Sequence, residues 1–384
     1  MSCVTSTGLL CSRMAGSPTA AMMREPDLLA AARAGDHEAY RRLVEPHHAA
    51  LHAHCYRMLG SLHDAEDALQ DAMLRAWRAL ARFEGRSSLR SWLYTIATNT
   101  CLNQIAGRPK RVLPIDYGPA ADPHDAPGRP LVESAWVEPY PDEVLGLADG
   151  PAAPAARYEM RESVELAFVA ALQHLPATQR AVLILREVLG FSAQEVAESL
   201  ETTVASVNSA LQRARKTVDE RLPAQSQQAT LRTLGDERLR ALVEGYMDAM
   251  QRGDVEAVVG MLAEDASWSM PPLASWYHGH EELAVFLARG PLSGAWRWRH
   301  LPAHANGQPA VGSYTWREDE SCFLPFALDV LTLSGERIKE VTAFIARSAE
   351  ERDPDAFARY PDEPVDAAKV AATFERFGLP ARLD

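Results

Sequence analysis

Three groups of side chains in this 384-residue sequence have types and spacings suited to chemistry. Asp265, His278, His280 and His304 are possible general acids or bases. No pair among them has a spacing that demands proton transfer, and core packing or plain exposure accounts for each. His48, His52 and Cys55 include an i, i+4 histidine pair that one helix face could share. A structural tetrahedral metal site takes four ligands, however, and the fourth is missing. Helix-packing histidines are the simpler reading, so no cofactor, no metal and no enzymatic activity are expected. The third group is Thr203, Ser206, Asn208, Ser209, Gln212, Arg213, Arg215 and Lys216. Asn and Gln can pair with adenine edges, Arg with guanine or phosphate, and Ser permits close approach to a groove.

The third group needs a helix to present it, and the sequence supplies one. Val182, Leu185 and Val188 form one apolar stripe that Gly190 ends. Ser192 precedes Glu195 by three residues, the spacing of a capping box, and Thr203 can cap the next helix. In that helix Val204, Val207, Leu211, Ala214 and Val218 recur at intervals of three and four, leaving the opposite face polar. Phe191 to Val218 thus reads as a helix-turn-helix, although a solvated face on a three-helix bundle has the same pattern.

Upstream, Ser61 can cap LHDAEDALQDAMLRAWRAL, whose core stripe runs through Ala65, Leu69, Met73, Ala76 and Leu80. Asp64, Glu66, Asp67 and Asp71, with Gln70, make one flank acidic beyond what helix capping requires. That flank suits a basic partner or bulk solvent. In ARFEGRSSLRSWLYTIATNTCLNQI the residues Leu89, Trp92, Leu93, Ile96, Ala97 and Leu102 pack inward. Arg86, Ser88, Arg90, Tyr94, Thr98, Asn99 and Asn103 lie elsewhere. Aromatic, basic and amide groups together can stack a flipped base and steady phosphate.

Composition is that of globular protein, 47% hydrophobic and 24% charged, with a formal charge of −13. Such a charge opposes unaided phosphate binding, but a factor delivered to DNA by a larger partner needs only small basic surfaces. Cys3, Cys11, Cys55, Cys101 and Cys322 are odd in number and scattered, so reduced thiols are expected. No apolar run approaches the roughly 20 residues of a membrane span, and a cytoplasmic location follows. Residues 1–26 read as a disordered tail, 27–106 as helical and 107–156 as a Pro-rich linker. Helical spacing returns over 157–222, and 231–347 turns to an α+β pattern, followed by a tail over 348–384. Two all-α domains and one α+β domain result.

Through DAEDALQDAMLRAW, FEGRSSLRSWLYTIATN and LPATQRAVLILREVLGFSAQEVAESLETTVASVNSALQRAR the sequence resembles extracytoplasmic-function (ECF) sigma factors of the sigma-70 family. The three motifs occur in family order. Residues 231–347 resemble a SnoaL-like α+β cone through YMDAMQRGDVEAVVGMLAEDASWSMPP and WYHGHEELAVFL. Such cones often enclose a pocket, and the resemblance implies Trp268, Met270, Trp276, Tyr277, Trp298 and Phe326 as candidates to line one for a small hydrophobic ligand. The resemblance implies that Asp64, Glu66, Asp67, Gln70 and Asp71 bind core RNA polymerase, made of beta and beta-prime subunits among others. Arg86, Ser88, Arg90, Tyr94, Asn99 and Asn103 would read the minus-10 element of promoter DNA. Thr203, Ser206, Asn208, Ser209, Gln212, Arg213 and Arg215 would read the minus-35 element. WVEPYPD at 136–142 resembles a linker motif of ECF factors with C-terminal extensions, which commonly lack a separate anti-sigma partner. Phe374, Phe377, Gly378 and Leu379 would dock back on the cone. Departures from the family at Thr98, Asn103, Gly107, Asn208, Ser209 and Ala210 leave base preference open. A helix-turn-helix regulator with a ligand-binding domain, or a fused SnoaL-type isomerase, would explain only the C-terminal half.

Overall fold

The computed structural model describes residues 24–125, 131, 136–145, 160–318, 320–346 and 367–384. Most of the expected disordered tail, the middle of the linker and the start of the C-terminal tail lie outside these residues. The first helix already begins at Glu25, inside the span read as tail.

Four helices form the first unit: α1 (Glu25–Arg33), α2 (His37–Leu59), α3 (Leu62–Ala79) and α4 (Leu89–Ile105). Their starts are fixed by side chains that satisfy free amides. Asp36 accepts from Glu38 N and Ala39 N, Ser61 from Asp64 N and Ser88 from Ser91 N. The left-handed Gly60 (φ 69°) ends α2 and turns the chain directly into α3. A short helix, α5 (Pro114–Tyr117), follows.

The second unit contains α6 (Leu166–Gln173), α7 (Ala177–Leu183), α8 (Ala193–Ser199) and α9 (Val204–Asp219). A π turn over Ile184–Val188 extends α7. The capping box at Ser192 and Glu195 and the Thr203 cap form as the spacing predicts. Val204 alone leaves the apolar stripe: at the first helical position it is 37% exposed.

Three helices, α10 (Gln227–Leu234), α11 (Asp236–Arg252) and α12 (Val255–Met261), lead into the α+β unit. Its strands are β1 (Leu262–Ser269), β2 (Trp276–His278), β3 (Trp298–Ala305), β4 (Gln308–Arg317), β5 (Cys322–Ser334) and β6 (Arg337–Ile345), with α13 (His280–Arg289) after β2. The sheet order is β2-β1-β6-β5-β4-β3, parallel only between β1 and β6. The last helix is α14 (Ala367–Glu375).

The cores divide differently from the sequence. One is the inside of the cone, where Tyr246, Trp268, Leu331 and Val341 meet. The other is continuous from α1 through the helix-turn-helix and takes in Ala305, Tyr314, Phe323, Leu328 and Phe344 of the sheet, together with Phe374, Phe377 and Leu379. The first eight residues of β4 are buried without alternation, as in strands covered on both faces. The sheet therefore packs one face on its own helices and the other on the helices of the first two units and the tail.

Residues 136–141 also depart from the linker reading. Trp136, Val137 and Tyr140 are buried, Val112 bridges to Trp136, and Glu138 N donates to Gly60 O at 2.9 Å. Proline content marked this stretch as a spacer, yet its apolar residues bury themselves where the units meet.

Candidate nucleic-acid and partner interfaces

The polar face of α9 is open. Thr203, Ser206, Asn208, Ser209, Gln212 and Arg213 are exposed, while Val207, Ala210, Leu211, Ala214 and Val218 pack inward. Arg215 is exposed but turned to Glu187, with which it forms an ion pair. Seven of the expected groups thus lie on one helix, six of them without a carboxylate partner among the described residues.

The face expected on α4 is divided. Arg86, Ser88, Asn99 and Asn103 are exposed. Tyr94 and Thr98, placed on the surface from sequence, are buried. Thr98 meets His54 at 2.9 Å, and the Tyr94 ring stands edge-on to Phe191 at 5.4 Å. Phe191 belongs to the helix-turn-helix, so the second unit covers this part of α4. Arg90 stacks 4.4 Å from the Phe191 ring centre and donates to Leu189 O at 2.9 Å. Ser91 donates to Glu195, and Thr95 to Ser199 at 3.0 Å. Separation of 97 residues between Tyr94 and Phe191 hid this contact from pattern reading.

The acidic flank of α3 is partly occupied as well. Asp64 pairs with Arg111 at 2.6 Å and Arg108 at 3.0 Å. Burial disfavours its charge, but the Arg111 and Arg108 guanidiniums prevail and hold its carboxyl below the usual range. Asp64 therefore anchors the chain leaving α4 rather than facing a partner. Glu66 pairs with Arg376, just past α14, at 3.0 Å. Asp67 and Gln70 are exposed, and Asp71 pairs with Arg75 at 2.8 Å within the helix. A groove of about 920 Å³ runs beside Asp67, Gln70, Met73 and Trp77, with Arg376 at its edge.

Between the units sits the β3–β4 turn at Asn306 and Gly307. Asn306, in left-handed conformation (φ 57°), is fully buried. Its Nδ2 donates to Tyr56 Oη at 2.9 Å and Val164 O at 2.8 Å. Its Oδ1 accepts from Tyr140 N at 2.9 Å, and its own N donates to Tyr140 O at 2.8 Å. Next to it, Gly307 N donates to Asp142 at 2.7 Å, and Gln308 accepts from Leu166 N at 2.9 Å. One asparagine therefore joins α2, the WVEPYPD segment and the approach to α6. Tyr140 extends the network by a 2.7 Å contact to His52 Nδ1, whose pKa burial lowers to about 4. His52 thus has a polar partner of its own, and Cys55 is buried apart from solvent.

The candidate pocket residues of the cone divide into core and surface. Trp268 and Tyr277 pack with Phe286, Trp298 stands edge-on to Phe326 at 5.1 Å, and Met270 lies against this core. Trp276 instead points the other way from β2 and donates to Gly118 O at 2.8 Å, pinning the chain after α5. The candidate acid–base groups are not assembled: Asp265 pairs with Lys339, His280 meets Leu262 O at 3.1 Å, and His278 and His304 are exposed. A buried carboxylate missed from sequence is Asp329, which accepts from Tyr246 at 3.0 Å and Ser313 at 3.1 Å. Its place in an apolar run gave no signal. Burial raises its pKa to about 6, against those two hydrogen bonds. Protonation then favours the folded state, and this stability is lost as pH rises through about 6. Asp329→Asn should flatten that dependence and gain about 2 kcal/mol at pH 8 by chemical denaturation; an unchanged pH profile would contradict the assignment.

Three family models match separate parts of the chain. The chain matches Sigma-70 region 2 over residues 43–110, Sigma-70 region 4 over 165–218 and the SnoaL-like domain over 243–341. It is 43% identical over 335 residues to the ECF RNA polymerase sigma factor SigG of Mycobacterium tuberculosis, covering 84% of each chain. It is 29% identical over 199 residues to the RNA polymerase sigma-H factor of Pseudomonas aeruginosa, covering 52% of this chain and 94% of that one. The crystal structure of the M. tuberculosis extracytoplasmic function sigma factor SigJ aligns over 82% of this chain and 98% of its own, at 22% identity and a TM-score of 0.48. Among the described residues no helix is long and apolar enough to cross a membrane. The relatives are sigma factors, which are not enzymes, so the isomerase and stand-alone regulator readings fall away. With region 2, region 4 and the length-wide likeness to SigG in hand, the chain belongs to the ECF RNA polymerase sigma factors and carries a SnoaL-like domain.

Proposed function

We propose that this sigma factor directs core RNA polymerase to promoters in the cytoplasm, and that its SnoaL-like cone holds it closed until polymerase engages. The acidic flank of α3, chiefly Glu66, Asp67, Gln70 and Asp71, takes a basic surface of core polymerase. Arg86, Ser88, Arg90, Tyr94, Asn99 and Asn103 serve the minus-10 element once α4 is uncovered. The α9 face from Thr203 to Arg215 serves the minus-35 element. By their designations the two elements lie about 25 base pairs apart, roughly 80 Å along B-DNA at 34–36 Å per turn. In the closed arrangement α4 and α8 touch, with Thr95 and Ser199 3.0 Å apart, so holding both elements requires the units to separate.

The observation that carries closure in cis is the buried Asn306 turn, which the cone inserts between region 2, the linker and region 4. A separate anti-sigma factor is then unnecessary, because the chain brings its own wedge. Deleting residues 231–384 and measuring promoter-specific transcription with core polymerase tests this; unchanged activity would contradict it.

Division of labour gives a second test. Asp67→Arg should weaken binding to core polymerase by tenfold or so, about 1.4 kcal/mol. Arg213→Ala should leave that binding intact and cut transcription from promoters with a minus-35 element by about tenfold or more. Equal minus-35 use by Arg213→Ala and the unaltered chain would misplace the recognition face.

A further inference from the structure

We infer that the cleft between α2 and the helix-turn-helix unit binds a small apolar acid whose carboxylate pairs with Arg57. The cleft has a volume of about 820 Å³, within the range of small-molecule sites. Its α2 side is built from small residues, Ala49, Ala50 and Ala53, and its opposite side from Phe168, Leu183 and Val188.

Arg57 borders this cleft while only 2% exposed. Its Nε donates to Ser163 O at 2.9 Å and its Nη2 to Ser163 Oγ at 2.6 Å, both neutral acceptors. No carboxylate among the described residues pairs with it. Burial opposes its charge, and among the described residues no carboxylate offsets that cost. A guanidinium withdrawn from water without a counter-ion is costly, and its planar fork matches a carboxylate.

Of the other charged groups of the walls, Asp219 is exposed to solvent and the rest have partners. Arg90 donates to Leu189 O, and Arg215 pairs with Glu187. Glu165 accepts from the first amides of α10, Gln227 N and Gln228 N, and Glu162 accepts from Ser226. Arg57 and Arg90 are thus the wall cations without a carboxylate partner among the described residues, Arg57 alone of the two is buried, and the alanines provide room for a chain or ring. Because the walls come from both sigma regions, an occupant also opposes their separation. That consequence rests on the closed-state reading; binding itself does not.

Titrating the full chain by calorimetry with decanoate, 1-decanol and acetate, all below micelle formation, tests the site. Decanoate should bind about tenfold or more tighter than decanol, as a charged hydrogen bond supplies, and acetate should bind far more weakly than either. Arg57→Gln should erase the preference for decanoate. Ala50→Trp, at an exposed wall position, should block both long ligands while leaving Arg57 in place, which keeps the test decisive should Arg57→Gln fold poorly. Equal binding of decanoate and decanol, acetate as tight as decanoate, or decanoate binding unaffected by Ala50→Trp would overturn the proposal. If decanoate binds as expected but promoter-specific transcription is unchanged, the closed-state reading fails and the site stands.

Discussion

Asn306→Ala is expected to raise promoter-specific transcription while lowering the stability of the closed chain. The substitution removes an acceptor from Tyr140 N and a donor to both Tyr56 Oη and Val164 O. Each orphaned buried group costs about 1–3 kcal/mol, so about 3 kcal/mol for the site is a conservative sum. Were the closed and open forms a two-state pair, that change would shift their ratio about a hundredfold or more. Start-site transcription with core polymerase reads the functional half, and urea denaturation reads the other. The Asn306 left-handed backbone adds to the effect, since alanine tolerates φ 57° less well than asparagine. Loss of stability with unchanged transcription would mean that the turn is only a structural rivet.

Arg180→Met should be the most destabilising single change in the helical units. Arg180 is 5% exposed and donates across units to Met58 O of α2, and within its own unit to Gln173 and Leu175 O at 3.2 Å. Burial lowers its pKa to about 10, so it remains charged at neutral pH. Removing it strands several carbonyl oxygens in a site with no water access, a loss of about 3–5 kcal/mol on the scale of broken buried networks. Arg180→Lys should recover part of this, as a single ammonium can still serve some of those carbonyls. Denaturation midpoints of the two variants check the ordering; equal midpoints for Met and wild type would contradict the network.

The elements whose cause is local were legible in the sequence. Ser61, Ser192 with Glu195, and Thr203 cap helices at the predicted places because a cap is a contact over three residues. The recognition face of α9 was legible for the same reason, since helical period alone sorts Asn208 and Gln212 from Val207 and Leu211. Contacts between distant segments were not. Tyr94 looked like a free aromatic until Phe191 covered it, and Asp64 looked like partner surface until Arg108 and Arg111 claimed it. Asn306-Gly307 had the composition of a surface hairpin turn, and nothing local tells that its tip is buried between two other units. Composition likewise concealed Trp136, which lies against Tyr117 and bridges to Val112, and Tyr140, whose partners His52 and Asn306 are 88 and 166 residues away. The docking of Phe374, Phe377 and Leu379 was expected, and it brings a Leu379 methyl within 2.5 Å of where a Cβ on Gly312 would lie.

The most direct test of closure is a reversible lock. Thr95 of α4 and Ser199 of α8 bring their side-chain oxygens to 3.0 Å, so the sulfurs of cysteines placed there start close together. A Thr95→Cys, Ser199→Cys chain, with Cys3 and Cys11 replaced by Ser, should fail to start transcription with core polymerase when oxidised and recover on reduction. If the oxidised protein initiates at the minus-10 and minus-35 promoter as well as the reduced one, region 2 and region 4 need not part, and the account of a chain held closed by its own cone is wrong.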